Sequence, residues 1–550
     1  MKNCIHTYIY TYILCIGLLA TFASCNFLET ETYDYLGEED IYRNEESCMA
    51  GLAGIYDALG ANGCYGQLLW GDLDAGTDIM VYNREAQKDN ILIAFHNYNN
   101  THTSLKDAWS ALYNGINRAN TYIKFIEERS DSECGGATKK AMFLGEAKAL
   151  RAVFYLNLVA FWGEVPLRLE PTLDLSDQLK KKSSQSDIYN QIITDLLDAE
   201  AGCLIAKDLN GPGRISKTTA QALLARAYMW QSGYPVYANT WDKALEYAQK
   251  VKKSGLHRLH KDSDGINGYR ALFIKMCSNQ YDLNTRESMF EVEFYGNGQD
   301  QTNEAGRVGL YNGVQQTKVS DEHPYAYGFY DATKYLFRLY ESGDARQWWN
   351  IADYKYTTTN DELTEVERTD SEKDNEDGNC AKWRAKYIPE RPLSRNNSSI
   401  NFPIMRYSDV LLMIAECANE VEGVTQEAVD AINQVRSRAG ATTIQAGDYT
   451  QETFRQFIRD ERTRELCYEV PRRMELRRHG ADYFKKQLKV LTDQTPYYPE
   501  KQNKQKYKVG YERESVKALP ANNFADKHIY FPIPQSELNV NTICGQTTGW

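Results

Sequence analysis

The sequence has no Gly-x-Ser-x-Gly elbow, no phosphate-cradling P-loop and no His-Glu-x-x-His helix, so the common signatures of hydrolases, nucleotide enzymes and zinc proteases are missing. It has no Cys-x-x-Cys spacing either, and neither a zinc site nor any other cofactor is expected. Basic charge is in deficit: 63 Lys and Arg stand against 75 Asp and Glu, a formal net charge of -12. Recognition of a phosphate backbone depends on basic patches that displace counterions, so no nucleic-acid partner is expected. After the first 25 residues there is no apolar run of the ~20 residues that a bilayer-spanning helix requires.

What is present is enough apolar area for a large core, with 42% hydrophobic and 25% charged residues over 550 positions. The aromatic content is high, with 39 Tyr, 18 Phe and 9 Trp. At the N-terminus, Lys2 precedes an apolar, Tyr-rich run from Tyr8 to Phe22, and small residues follow before a cysteine, which reads as a signal peptide over residues 1–24. Phe22-Ala23-Ser24-Cys25 resembles a bacterial lipobox, with Phe where Leu is usual, and makes Cys25 the expected lipidation site. A plain secretory signal or a short membrane anchor is the alternative. Nine cysteines lie after Cys25, an odd number that leaves at least one unpaired, and Cys417 and Cys467 fall in helical apolar patterns as small core residues.

Apolar residues recur at alternating steps of three and four in several long stretches, the pattern of amphipathic helices. Trp109, Leu112, Ile116, Ala119 and Ile123 form one stripe. Phe143, Ala147, Leu150, Phe154, Leu158 and Phe161 form the next, which stops at Gly163 ahead of Pro166. The two predict an antiparallel pair. Further stripes run through Ile188 to Ala199, Ala222 to Tyr228, Trp241 to Ala248, Tyr407 to Ala418 and Ala428 to Ala439, and a last helix over residues 451–468 carries a face dense in Arg and Glu. Small Ala residues at the crossings make these hairpins similar to tetratricopeptide repeats, without a strict period. The fold class is therefore mainly α, a helical-hairpin scaffold with an irregular, loop-rich subregion and a few short strands. The scaffold is expected over about 40–255 and 403–485, and the loop-rich insertion over about 256–402. Ion pairs on the Arg- and Glu-rich face, exposed, would be worth only ~0.3–0.5 kcal/mol each.

Several blocks carry a family likeness. They are Cys25-Asn26-Phe27-Leu28-Glu29, "GEAKALRAVFYLNLVAFWGEVPL" at 145–167, "RYSDVLLMIAECANE" at 406–420, "INQVRSRAG" at 432–440, "IRDERTRELCYEVPRRMELRRHG" at 458–480 and the tail "FPIPQSELNVNTICGQTTGW". Together they resemble the SusD/RagB family of Bacteroidetes outer-membrane lipoproteins, over the whole mature chain. Val470-Pro471, Arg473 and Met474 depart from the family pattern. The resemblance implies a surface protein, anchored in the outer membrane through lipid on Cys25, that captures a glycan and hands it to a SusC-like TonB-dependent transporter. A peptide-capturing protein of the RagB type is the alternative, and a secreted glycosidase the remote one; catalytic residues are not expected.

A sugar offers hydroxyls at its edge and C–H patches on its faces, so its site needs aromatic platforms with amides, carboxylates or Arg at the rim, and loops are the place to look. The irregular patch at 60–103 offers Trp70, Asp78, Tyr82, Asn83, Arg84, Tyr98 and Asn99. A second patch offers Tyr295, Asn297, Tyr311, Asn312, Tyr325, Tyr327 and Tyr330. From these, Trp70, Asp78, Tyr82, Asn83, Tyr98, Tyr311, Tyr325 and Tyr327 form the candidate ligand set. His257 and His260 read as an exposed, uncommitted pair, Asp72, Asp74 and Asp78 as turn or cap residues in preference to a calcium site, 370–377 as a solvated acidic loop, and Trp348 and Trp349 as packing residues.

Overall fold

The structure is a computed structural model that describes residues 42–83, 89–172, 174–296, 306–316, 318, 325–359, 362–376, 378–390, 395–492 and 516–550. Cys25, Arg84 and Asn297 lie outside the described residues. The principal helices are α1 (Glu45–Gly60), α2 (Thr103–Glu128), α3 (Ala137–Trp162), α4 (Gln185–Gly202), α5 (Lys217–Gln231), α6 (Trp241–Lys253), α7 (Gly268–Cys277), α8 (Tyr407–Glu422), α9 (Gln426–Arg438), α10 (Gln451–Leu466), α11 (Arg472–Arg478), α12 (Ala481–Leu488) and α13 (Gln535–Val540). Side-chain caps start many of them: Ser184, Ser216, Thr425 and Thr450 each accept from a backbone N–H in the first turn of the helix that follows.

The helices pack in succession, α2 on α3, α3 on α4, α4 on α5 and α5 on α6. The stack then continues from α6 directly onto α8, which also carries α9 and α10. The loop-rich residues between α6 and α8 are thus an excursion from a stack that is continuous in space. α3 sits between two neighbours and is buried almost all round from Gly145 to Trp162, which explains an apolar content too broad for a single stripe. It ends where the expected stop signal stands, at Gly163 with φ 76°, a left-handed conformation that suits glycine.

The strands are short. β1 (Met80–Tyr82), β3 (Tyr330–Ala332) and β6 (Gly378–Asn379) make one sheet in the order β1-β3-β6. β2 (Ser288–Val292) pairs with β7 (Phe402–Arg406), and β4 (Tyr354–Thr359) with β5 (Glu362–Glu367), every pairing being antiparallel. The β1–β3 register, Met80 to Ala332 and Tyr82 to Tyr330, joins the irregular patch at 60–103 to the excursion between α6 and α8. Two regions far apart in sequence become one face.

Three expectations are corrected. The Arg- and Glu-rich face of α10 is buried. Glu465, with no side-chain exposure, accepts from Arg406, Arg438 and Arg346. Glu461 accepts from Arg346, Arg436 and Arg464, and Glu469 from Arg406 and Lys382. Glu287 joins Arg406 to Arg438, and Asp409 joins Arg462 to Arg226. Several of these partners stand on segments packed over α10, which closes it off from water. His257 and His260 are likewise buried: His257 lies between the Thr218 hydroxyl (2.8 Å) and the Arg286 carbonyl (2.7 Å), and His260 Nδ1 faces Asp282 at 2.6 Å. The acidic run at 370–377 begins with a helical turn, Asp370–Lys373, capped by Thr369.

Candidate functional site

The segment Tyr325-Ala326-Tyr327-Gly328-Phe329-Tyr330 alternates large and small side chains, and its burial alternates in step: Tyr325, Tyr327 and Phe329 are half-buried, and Ala326, Gly328 and Tyr330 are buried. The ring contacts Tyr325–Tyr327 and Tyr327–Phe329 put the three rings on one face, and the left-handed turn at Gly328 keeps the chain on that course. The small residues allow the other side to lie close against the chain. Ala326 exchanges both backbone hydrogen bonds with Gln316 at 2.8 and 2.9 Å, and a Cβ on Gly328 would meet Gln315 at 2.8 Å. Tyr327 N donates to the Leu310 carbonyl and Phe329 N to that of Tyr311, which brings Tyr311 against the same face.

The result is a connected set of rings that climbs out of the core. Tyr330 is fully buried and meets Tyr82 edge-on at 5.7 Å. Tyr82 stacks on Phe329 at 5.5 Å, and Phe329 on Tyr327 at 5.1 Å. Tyr311 presents an edge to both Tyr327 and Phe329, and Tyr325 meets Tyr327 at 4.7 Å. Around the outer rings stand the polar groups that a sugar edge needs. The Arg307 guanidinium lies 5.4 Å from the Tyr311 centroid and that of Arg395 5.2 Å from Tyr325. The Tyr327 hydroxyl donates to Asn396 Oδ1 at 3.0 Å, and Asn83 Nδ2 to the Gly328 carbonyl at 2.6 Å and Asp331 Oδ1 at 3.2 Å. Burial raises the Tyr311 hydroxyl pKa, so this tyrosine is neutral at physiological pH.

Arg307 is shared with a neighbouring cleft of about 540 Å³ between the end of α1 and the outer face of α2. Its walls are polar, with Asp57, Asn62, Asp107, Ser110, Asn114 and Arg118 prominent. Asp57 and Arg118 are paired at 2.7 Å. A smaller cleft of about 310 Å³ lies beyond α2, against α13, and there the polar groups are engaged with each other: Trp109 Nε1 donates to Glu537 and the Tyr113 hydroxyl to the Pro166 carbonyl.

The structure brings Tyr82, Asn83, Tyr311, Tyr325 and Tyr327 together, and of these the tyrosines 311, 325 and 327 reach the surface. It places other members of the candidate set in the interior. Trp70 is 2% exposed, stacked on Phe402, with Nε1 donating to the Tyr65 carbonyl at 2.7 Å. Tyr98 stacks on Trp550 at 5.2 Å and takes a hydrogen bond from Arg473. Asp78 is fully buried in a bidentate pair with Arg472 at 2.7 and 2.8 Å. As surface ligand contacts these three are corrected: each has its partner inside the fold. Tyr82 is 3% exposed and supports the outer rings from below. Asn312 is buried against Gly309, and Asn99 is spent on the turn to Thr101. Tyr295 is 77% exposed just beyond β2. Trp349 is buried beneath the Arg384 guanidinium at 3.9 Å, the packing role expected of it. Phe329, Arg307, Arg395 and Asn396 escaped the sequence reading. Phe329 had a signal, the two-residue alternation that runs through Tyr325 and Tyr327; the other three had none, because the chain brings them in from separate loops.

Beneath the rings, Asp72 accepts from the Tyr330 hydroxyl at 2.7 Å and burial pushes its carboxyl up to about 6. Asp74 is pushed up to about 7 by burial. Arg473 relieves it little, since it offers Asp74 its backbone N–H and sends its guanidinium toward His96 and Tyr98. These acids are structural; among the described residues no group of three or more His, Cys, Asp or Glu is placed to hold a metal ion. Nor is any helix among them long and apolar enough to cross a membrane.

Comparison with known proteins agrees with this architecture. A family model described as "SusD family" matches residues 286–550, and one described as "Starch-binding associating with outer membrane" matches residues 27–229. The SusD-like protein P25 of Formosa agariphila is 26% identical to this chain, covering 96% of it and 97% of P25. Among solved structures, a SusD homolog from Bacteroides thetaiotaomicron VPI-5482 superposes with a TM-score of 0.80 at 26% identity, over 93% of this chain and 98% of that one. A laminarin-binding SusD-like protein superposes with a TM-score of 0.66 at 23% identity, over 92% and 100% of the two chains.

Proposed function

This chain belongs to the SusD/RagB family, and from that premise we propose that it is a cell-surface lipoprotein, held by lipid on Cys25, that captures an oligo- or polysaccharide and passes it to a SusC-like TonB-dependent transporter in the outer membrane. The observation that carries the glycan reading is the ring set Tyr311, Tyr325 and Tyr327, backed by Phe329 and Tyr82 and rimmed by Arg307, Arg395, Asn396 and Asn83. Rings held by other rings lose little freedom when a ligand stacks on them, and each stacking contact adds ~0.5–1.5 kcal/mol beyond area burial, so two or three give useful affinity. The polar cleft that shares Arg307 extends this surface with carboxylates, amides and hydroxyls, the partners of sugar hydroxyls. The likeness to a laminarin-binding protein of the same fold supports a glycan as the ligand class.

The role is binding, not catalysis: the rings and amides of the site offer stacking surfaces and hydrogen bonds. The test is calorimetry of the purified chain against a panel of plant, algal and host polysaccharides, with Tyr325→Ala and Tyr327→Ala alongside. Binding to at least one glycan, weakened about tenfold by either change, is the expected result. No binding across the panel, together with peptides co-purifying with the native protein, would move the assignment to peptide capture. Release of reducing ends by the purified chain would move it to a glycosidase.

A further inference from the structure

Away from the ring face, the first turn of α1 is clamped onto the turn that joins α2 to α3. Arg43 pairs with Glu133 at 3.4 Å and Lys139 with Glu45 at 2.5 Å, Gly135 lies close against the Glu45 side chain, and the Tyr122 hydroxyl donates to the Cys48 carbonyl at 2.8 Å. Two cysteines meet inside this clamp. Cys48, in the first turns of α1, and Cys134, in the connecting turn, are both fully buried: Cys134 stands between Glu133, which pairs with Arg43, and Gly135, which packs against Glu45 one turn before Cys48, and the two thiols are near enough to act on each other's ionisation. Elsewhere, Cys467 lies by the Tyr340 hydroxyl with Cys380 in its neighbourhood, Cys277 accepts from the Arg384 backbone N–H, and Cys203 packs against Gly145.

We infer that Cys48 and Cys134 are a disulfide pair, thiols in this structure, that closes α1, the irregular patch after it and α2 into one covalent loop. A leader that directs the chain out of the cytoplasm, as residues 1–24 read, delivers it to a compartment where such a bond persists. The step needs an oxidant, and the class that fits is a thiol–disulfide oxidoreductase carrying its own disulfide. Its disulfide is attacked by one thiolate, the mixed disulfide is resolved by the second, and the oxidoreductase leaves as a dithiol with the two protons and two electrons that the pair gives up. The reaction belongs to folding, before α1 seats: in the finished fold no solvent reaches either sulfur, and burial has pushed the Cys48 thiol up to about 12.

The bond would sit next to the first described residue. Cys48 Sγ donates to the carbonyl of Tyr42, the first described residue, at 3.5 Å. A pull on the N-terminal segment would therefore meet a covalent staple within the first turns of α1.

The experiment is peptide mapping of the full chain, exported by a bacterial host with its own leader, denatured in iodoacetamide without reductant and digested. The expected result is a Cys48 peptide joined to a Cys134 peptide, lighter by two hydrogens than the free pair and separated by reductant. Finding both cysteines alkylated in most molecules, or either joined to a different cysteine, overturns the inference. As a second measurement, reductant should lower the thermal midpoint of the wild type by about 5–10 °C and leave Cys134→Ser unmoved. A wild type and a variant that respond alike would also overturn it.

Discussion

Glu465 and Asp72 are both buried carboxylates, yet their surroundings drive them in opposite directions. Glu465 is ringed by Arg346, Arg406 and Arg438, and their charge pulls it down to about 2 against the cost of burial. Asp72, under the ring face, has hydrogen bonds from Tyr330 and Gln67 and no paired cation, so burial raises it to about 6. The first region is an ionic lattice that ties α8, α9 and α10 to the excursion above them. The second holds its rings by stacking and by neutral hydrogen bonds. The difference separates a scaffold that must not move from a surface that, on the proposed role, must stay free to meet a ligand.

The largest test of that contrast is Glu465→Ala, which leaves three buried guanidinium groups short of a partner and should cost about 3–5 kcal/mol in urea unfolding. Asp72→Asn keeps a hydrogen-bonding side chain and should leave stability near pH 5 within about 1 kcal/mol. Equal losses from the two changes would erase the distinction.

The two regions should also answer pH with opposite signs. Glu461 and Glu465 stay ionised in the folded chain down to about 2, whereas unfolded they protonate near 4.5. Their contribution is present above pH 4.5 and is lost as pH falls toward 2. Asp72 and Asp74 hold their protons in the folded chain up to about 6 and 7, whereas unfolded they release them near 3.8. Their contribution is complete below about pH 4 and is lost as pH rises through 6 and 7, on the order of 3 kcal/mol for Asp72 and 4 kcal/mol for Asp74. Glu291, raised by burial to about 7, adds to the same limb. Urea midpoints between pH 5 and 8 should therefore decline in the wild type and decline less in Asp72→Asn/Asp74→Asn, with the acid limb unchanged.

Smaller effects sharpen the ring side alone. Gly328→Ala places a Cβ 2.8 Å from Gln315 at a φ of 54°, and should cost about 1–2 kcal/mol of stability and weaken glycan binding, because it pushes Tyr327 and Phe329 out of register. Tyr327→Phe keeps the ring and removes the hydroxyl that bonds to Asn396. In calorimetry its affinity should fall no more than about fivefold, well short of Tyr327→Ala.

The helix stack was legible because an apolar stripe is a local property: Phe143 to Phe161 and Tyr407 to Ala418 announce their helices unaided. The ionic lattice was not. Arg and Glu at helical spacing look the same on a wet face and a dry one, and what dries α10 is Arg346, Lys382, Arg406 and Glu287, none of them on that helix. The site was legible in part for the same reason. Tyr325 and Tyr327 belong to a local alternation, whereas the inward turn of Trp70 depends on Phe402 and that of Tyr98 on Trp550, partners hundreds of residues away in sequence. Sequence named the rings; their depth was decided by distant neighbours.

Arg307 serves two places at once, its guanidinium over Tyr311 and its side chain in the wall of the polar cleft. Occupancy of either place therefore changes the free energy of filling the other. Thermodynamic linkage makes the exchange reciprocal: an acidic saccharide that draws Arg307 into the cleft alters affinity at the rings by the same factor with which a ring-bound sugar alters affinity in the cleft. On the proposed role, a single side chain would let a long polymer be read as one ligand instead of two fragments.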